Sequence, residues 1–263
     1  MSAASMPATP FASALSASST GWRVIFGAQA AATAGTRVAV DDSGELFARC
    51  EPADPAQIMS GGASAADLEM LAVSLAASPE AQTKAEAWAR AGGDVVEVRM
   101  KTVRVVVTQR RALIVAPVDQ LAESIDAVVR YCAISRGVGE LEKTIAGSLS
   151  ALDGKGQNAM PAVSQADAAN ARRSLLRWQR AIEQFQPGLS QNSQRLFGEL
   201  DEAGRLEERI EMLEDPVQTL YDFCALASER KHYNVGIITE GAILFVLLLE
   251  LAVMMYQAFH VSG

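Results

Sequence analysis

The sequence predicts an α/β (α+β) fold in three parts: an N-terminal mixed α/β domain with a small sheet, a helical hairpin and coiled-coil region, and one C-terminal transmembrane helix. Three observations carry that prediction. Short β-branched and aromatic runs bounded by Gly, Asp and Ser recur between Trp22 and Pro117, as strands do. After Pro117 apolar residues return every three or four positions, the helical period. Residues 241–259, GAILFVLLLELAVMMYQAF, carry one charged side chain, Glu250. The expected boundaries are 1–21 for a disordered tail, 22–152 for the α/β domain, 153–164 for a linker, 165–234 for the helical hairpin and coiled coil, and 235–261 for the span.

The tail is rich in Ala and Ser and has no charged side chain in its first twenty residues, so it lacks the positive start and apolar run of a secretory signal. WRVIFG (22–27), RVAVD (37–41) and ELFARC (45–50) follow as strands, with Asp41-Asp42-Ser43-Gly44 as a hairpin turn. Ser64 and Asp67 then mark the start of a helix whose apolar face is Leu68, Leu71 and Leu75. Ser78-Pro79 opens a second helix and Gly92-Gly93 closes it. VVEVRMKTVRVVVT (95–108) reads as a long alternating strand or a strand pair, with Val103, Val105 and Val107 on one side and Arg104 on the other. RRALIVAP (110–117) is a further strand.

Beyond Pro117, a helix over 118–134 shows the stripe Leu121, Ile125, Val128 and Cys132, and Gly137 and Gly139 are expected to loosen the chain before the pattern resumes at Leu141. DGKGQNAMPAVS (153–164) is a loop by composition. Its Gly-Lys-Gly lacks the GxxxxGK[ST] frame of a phosphate loop. The helix from Gln165 to Gln186 starts with Ser164 and Asp167 in capping positions. It sets Leu175, Trp178, Ile182 and Phe185 on one face and Arg172, Arg173, Arg177 and Arg180 on the other. Two readings of these arginines stand side by side. They are a partner-binding cluster for RNA phosphate or lipid headgroups, or they pair with the acidic run from Glu199 to Asp215.

In that acidic region Leu206, Ile210, Leu213, Val217, Leu220, Cys224 and Ala227 alternate steps of four and three, the spacing of a coiled-coil seam. Asp215-Pro216-Val217-Gln218 has a capping pattern, yet the seam keeps its phase, so a kinked but continuous helix is expected to run from Pro216 to about Phe259. The seam either meets a second copy or packs on the helix of Trp178.

LEERIEMLEDPVQTLYDFCALASERKHYN, followed by a glutamate-bearing apolar span, resembles the end of the "required for meiotic nuclear division" family of bacterial and mitochondrial proteins. The matching positions are Leu206 through Leu220, Glu229-Arg230-Lys231, and the span with Glu240 and Glu250, roughly the last 60 residues. The resemblance implies a membrane-anchored, non-enzymatic scaffold, possessing an α/β domain and a charged helical hairpin, that supports translation, with ribosomal components as soluble partners.

The span itself is a balance of opposing terms. Its strongly apolar residues contribute roughly −0.3 to −0.6 kcal/mol each on the insertion scale, against about +2.5 to +3.5 kcal/mol for one central carboxylate, so insertion is favoured narrowly. Arg230 and Lys231 precede it and no Lys or Arg follows it. Single-pass insertion is therefore expected with the N-terminal domain in the cytoplasm or matrix. Glu250, with Gln257 seven residues on, offers a polar stripe through which copies would meet as a homo-oligomer; the alternative is a lone protonated glutamate. Glu240 sits at the interface.

Composition narrows the function. A formal charge of −8 argues against general nucleic-acid binding. Cys50, Cys132 and Cys224 are scattered, without CxxC, and the histidines are only His232 and His260, so neither a metal set nor a His-based triad is legible. No cofactor, metal site or catalytic constellation is expected. The favoured reading is a membrane-anchored scaffold or tether, with a homo-oligomeric channel or transporter subunit using Glu250 as the second.

Overall fold

The computed structural model describes residues 19–26, 36–39, 47–60, 67–153, 165–183 and 190–261. The chain forms two compact units, each discontinuous in sequence: Met1–Lys143 with Ser174–Leu213, and Thr144–Arg173 with Glu214–Gly263.

The first unit is built on a seven-stranded sheet. Its strands are β1 (Ser19–Phe26), β2 (Thr36–Ala39), β3 (Phe47–Ala53), β4 (Leu68–Ser74), β5 (Val96–Arg99), β6 (Arg104–Val107) and β7 (Arg111–Ala116). Their spatial order is β2-β3-β1-β4-β7-β6-β5. All neighbours are antiparallel except the central pair β4 and β7, where Leu71 lies opposite Leu113. That parallel pair needs a crossover, which α2 (Pro79–Arg90) and the β5–β6 hairpin supply.

Each face of the sheet has its own cover. On one, Leu71, Val73, Val106, Leu113 and Val115 pack with Ile58 of the short helix α1 (Pro55–Ser60) and with Ala85, Trp88 and Ala89 of α2. On the other face stand Val24, Cys50, Met70 and Ile114, each at most 1% exposed. This second face receives α3 (Val118–Asp153), whose Arg136 lies 5.5 Å over the ring of Phe26. Complete burial of Trp22, Met70, Leu113 or Ile125 contributes about 1.5–3 kcal/mol each. α2 starts as its sequence predicts: Ser78 accepts a hydrogen bond from the Ala81 N–H and Pro79 takes the first turn. Gly93, at φ 116°, makes the exit turn that favours glycine.

Three local expectations are corrected. The helix expected from Ser64, with Leu68, Leu71 and Leu75 on one face, is strand β4 from Leu68 to Ser74, and all seven of its residues are buried. A central strand covered on both faces has no alternation to display, and its leucine spacing mimics a helix. β1 begins at Ser19, inside the stretch assigned to a disordered tail. α3 runs unbroken through Gly137 and Gly139. A Cβ at Gly137 would lie 2.1 Å from Cζ2 of Trp178, so this glycine serves close helix packing. The turn at 41–44, the segment 154–164, Ser164 and Phe185 lie outside the described residues.

The acidic run is two helices. α5 (Gln191–Gly204) is capped by Ser190 and ends at Arg205, which adopts φ 51° and sends its N–H to the Asp201 and Glu202 carbonyls. α6 (Leu206–Val261) then runs without a break past Pro216. The ring removes the bond to the Met212 carbonyl, and Met212 is 61% exposed, so water can serve that carbonyl. In the second unit Leu220 and Cys224 of α6 pack on Ala168 of α4 (Gln165–Glu183), with Tyr221 beside them. The seam residues Leu206, Ile210, Leu213, Val217, Leu220 and Cys224 are all buried within the chain itself.

Among the described residues, no helix is long and apolar enough to cross a membrane. The expected C-terminal transmembrane helix, and the single-pass membrane placement that rested on it, are corrected accordingly. Glu240 and Glu250 bracket the uncharged run 241–249, which at 1.5 Å per residue is roughly 14 Å against a hydrocarbon core of about 30 Å.

Candidate functional site

The most unusual surface is the later part of α6. Every side chain described from Ile237 to Glu250 is exposed, and Ile237, Ile238 and the run Ile243–Leu249 are 49–71% accessible. Helices apolar around their full circumference are ordinarily surrounded by protein or lipid. This surface is continuous with a stripe on the same helix. Phe223, Ile237 and Leu244 share one position of a seven-residue repeat, and Leu226, Leu247 and Met254 share the position three residues on; all six are exposed. The stripe is offset by one residue from the buried seam, so one helix offers two apolar edges, one used inside the chain and one free. Glu240 falls on the exposed stripe and Glu250 beside it, and both are exposed. The side chain of Gln257 lies outside the described residues, so the expected meeting of Glu250 with Gln257 does too.

The four arginines of α4 are all exposed. In the second unit Arg172 stacks 5.2 Å over the ring of Tyr221, and Arg173 donates through Nη2 to Asn170 Oδ1 at 2.5 Å. Arg172 thus meets an aromatic face, and Arg173 an amide. In the first unit Arg177 is also engaged and Arg180 is exposed.

Sequence reasoning missed two polar clusters in the first unit, because each gathers residues far apart in the chain. At the sheet end beneath α2, Glu97 joins Arg90, Arg99 and Arg104, with Arg99 Nε at 2.5 Å; Arg104 also holds Glu86 through Nη1 at 2.6 Å. Burial alone would raise the Glu97 carboxyl, but hydrogen bonds from Arg99, Arg90 and Arg104 win and bring it down to about 2. In the neighbouring strands the register aligns Glu51, Arg23, Glu69 and Arg111 in a row of alternating charge across β3, β1, β4 and β7. Arg111 ends that row by donating to the Trp88 carbonyl at 2.9 Å with its guanidinium 5.1 Å over the Trp88 ring.

The second cluster lines a cleft of about 460 Å³ between the sheet and α3. Its floor is Val107, Thr108, Tyr131, Cys132 and Ser135, and its rim carries Asp94, Arg110, Arg136, Glu140, Lys143 and Arg209. Arg209 donates to both carboxylate oxygens of Glu142 at 2.9 Å and to Ser135 Oγ at 3.3 Å. Arg136 lies 3.6 Å from Glu140. Burial pushes the Tyr131 phenol and the Cys132 thiol each up to about 12, so both stay neutral donors at ordinary pH. A Cβ at Gly204 would lie 2.0 Å from the Tyr131 Oη, which fixes the phenol against α5.

No protein-family model matches the chain, and no curated protein matches it. Among solved structures, the chain is similar to that of the full-length CmaX protein over 84% of its own length and 83% of that chain, at 13% identity and a TM-score of 0.24. At that score the likeness carries no argument.

Proposed function

We propose that this protein is a non-enzymatic scaffold that self-associates through the exposed stripe of α6 and thereby displays several copies of its α/β unit to a soluble partner. The observation that carries the reading is the accessibility of Ile237–Leu249, continuous with Phe223 and Leu226 along one helix edge. A second copy fits that edge because the same repeat positions recur along it, and two such stripes laid together bury each other's knobs. Glu240, on the stripe, sets the register, since a carboxylate among apolar neighbours disfavours every alignment that leaves it unsolvated.

Sedimentation velocity of the full chain tests this. The wild type is expected to run as a discrete complex, and the Leu244→Glu/Leu247→Glu double variant as a 27.9 kDa monomer with unchanged helical circular dichroism. A monomeric wild type at micromolar concentration would overturn the proposal. So would a double variant that stays assembled, or capture of the wild type by phosphatidylcholine vesicles in place of self-complex.

A further inference from the structure

Four cations line the sheet–α3 cleft, Arg110, Arg136, Lys143 and Arg209, against three acids, Asp94, Glu140 and Glu142, an excess of one positive charge. Arg209 is closed by Glu142, and Arg136 lies beside Glu140. Among the described residues, none pairs with the side chain of Arg110 or Lys143, although both line the cleft. The chain as a whole is −8, so a cationic rim runs against its overall charge.

We propose that this cleft binds a small phosphate-bearing anion, held between Arg110 and Lys143. Arg110 stands on a rigid base. Its carbonyl accepts from the Glu69 N–H at 2.9 Å, the next residue's carbonyl accepts from the Thr108 N–H at 2.7 Å, and the Arg111 N–H donates to Thr108 Oγ1 at 3.1 Å. The β6–β7 turn is therefore fixed on both sides of the guanidinium, which reduces the ordering cost of gripping a ligand. Lys143 comes from α3, an independent element. An arginine fork and a lysine point charge from separate elements suit the several oxygens of a phosphate or diphosphate. The buried Tyr131 hydroxyl and Ser135 give the floor polar partners for the rest of the molecule, and the volume lies in the range of small-ligand pockets.

Calorimetric titration of the full chain with sodium pyrophosphate tests this independently of assembly. Saturable binding to the wild type is expected, weakened at least tenfold in Arg110→Gln/Lys143→Gln. Lys84→Gln/Arg99→Gln, which removes two cations that do not line the cleft, is expected to bind like the wild type. Absence of saturable heat, equal binding by the cleft variant, or equal loss in the control variant would each overturn the proposal. The Leu244→Glu/Leu247→Glu chain should bind pyrophosphate as the wild type does, which separates this site from the α6 surface.

Discussion

Between Leu206 and Cys224, α6 spaces six apolar seam residues three and four apart and hides them, leaving only Met212 and Phe223 exposed off the seam; between Ile237 and Leu249 it crowds apolar residues onto every side and leaves them open. The first arrangement needs one neighbouring helix, and in the second unit α4 provides it through Ala168. The second arrangement cannot be satisfied by one neighbour, because no single contact covers a full circumference. Apolar content is therefore a poor guide to where a helix packs, and the angular distribution of that content is a better one.

Truncating equivalent leucines in these two regions is the sharpest way to break the comparison. Leu220→Ala, at a side chain 1% exposed, should cost about 2–5 kcal/mol, read as a lowered urea midpoint. Leu247→Ala, at 57% exposure, should cost under about 0.5 kcal/mol in chain diluted below its assembly threshold. Equal losses at both positions would erase the distinction.

Glycines along α3 extend the same contrast to a second helix. Gly137→Ala must displace the Trp178 ring from a 2.1 Å approach and should cost about 1–3 kcal/mol. Gly147→Ala meets nothing within 4 Å and should stabilise the helix by about 0.5–1 kcal/mol, so thermal midpoints should move in opposite directions.

A further contrast is electrostatic. Glu97 has a folded value lowered to about 2, so its stabilising contribution is complete above the ordinary glutamate range and fades as the pH falls toward about 2. Glu97→Gln should cost about 1 kcal/mol at neutral pH and make acid unfolding shallower across that window. An unchanged acid limb would mean that the arginines around it contribute nothing measurable.

Strands set off by Gly, Asp, Ser or Pro at their ends were legible from residues alone. β1, β2, β3 and β7 lie on predicted runs, and the run at 95–108, expected as one long strand or a strand pair, is the β5–β6 hairpin, with Arg104 partly exposed and Val105 buried. α2 was legible from Ser78-Pro79 because capping is a local hydrogen-bond pattern. β4 was not, because a doubly covered strand presents the same greasy string as a buried helix. The turn at Arg205 was hidden as well, since a non-glycine residue in the left-handed region leaves little trace in composition. Neither the cleft nor the Glu97 cluster could be read beforehand. Arg110, Lys143 and Arg209 are brought together only by the path of α3 past the β6–β7 turn and by the placement of α6's first turns, and no short motif encodes that path.

The strand order has a temporal side. All seven strands are complete by Ala116, whereas α6 extends to Val261. A ribosome adding 5–20 residues per second needs roughly 7–30 seconds to cover that interval. The nascent sheet can thus pair its parallel centre before the hydrophobic C-terminal rod leaves the exit tunnel, and the rod emerges too late to compete for the strands' own partners.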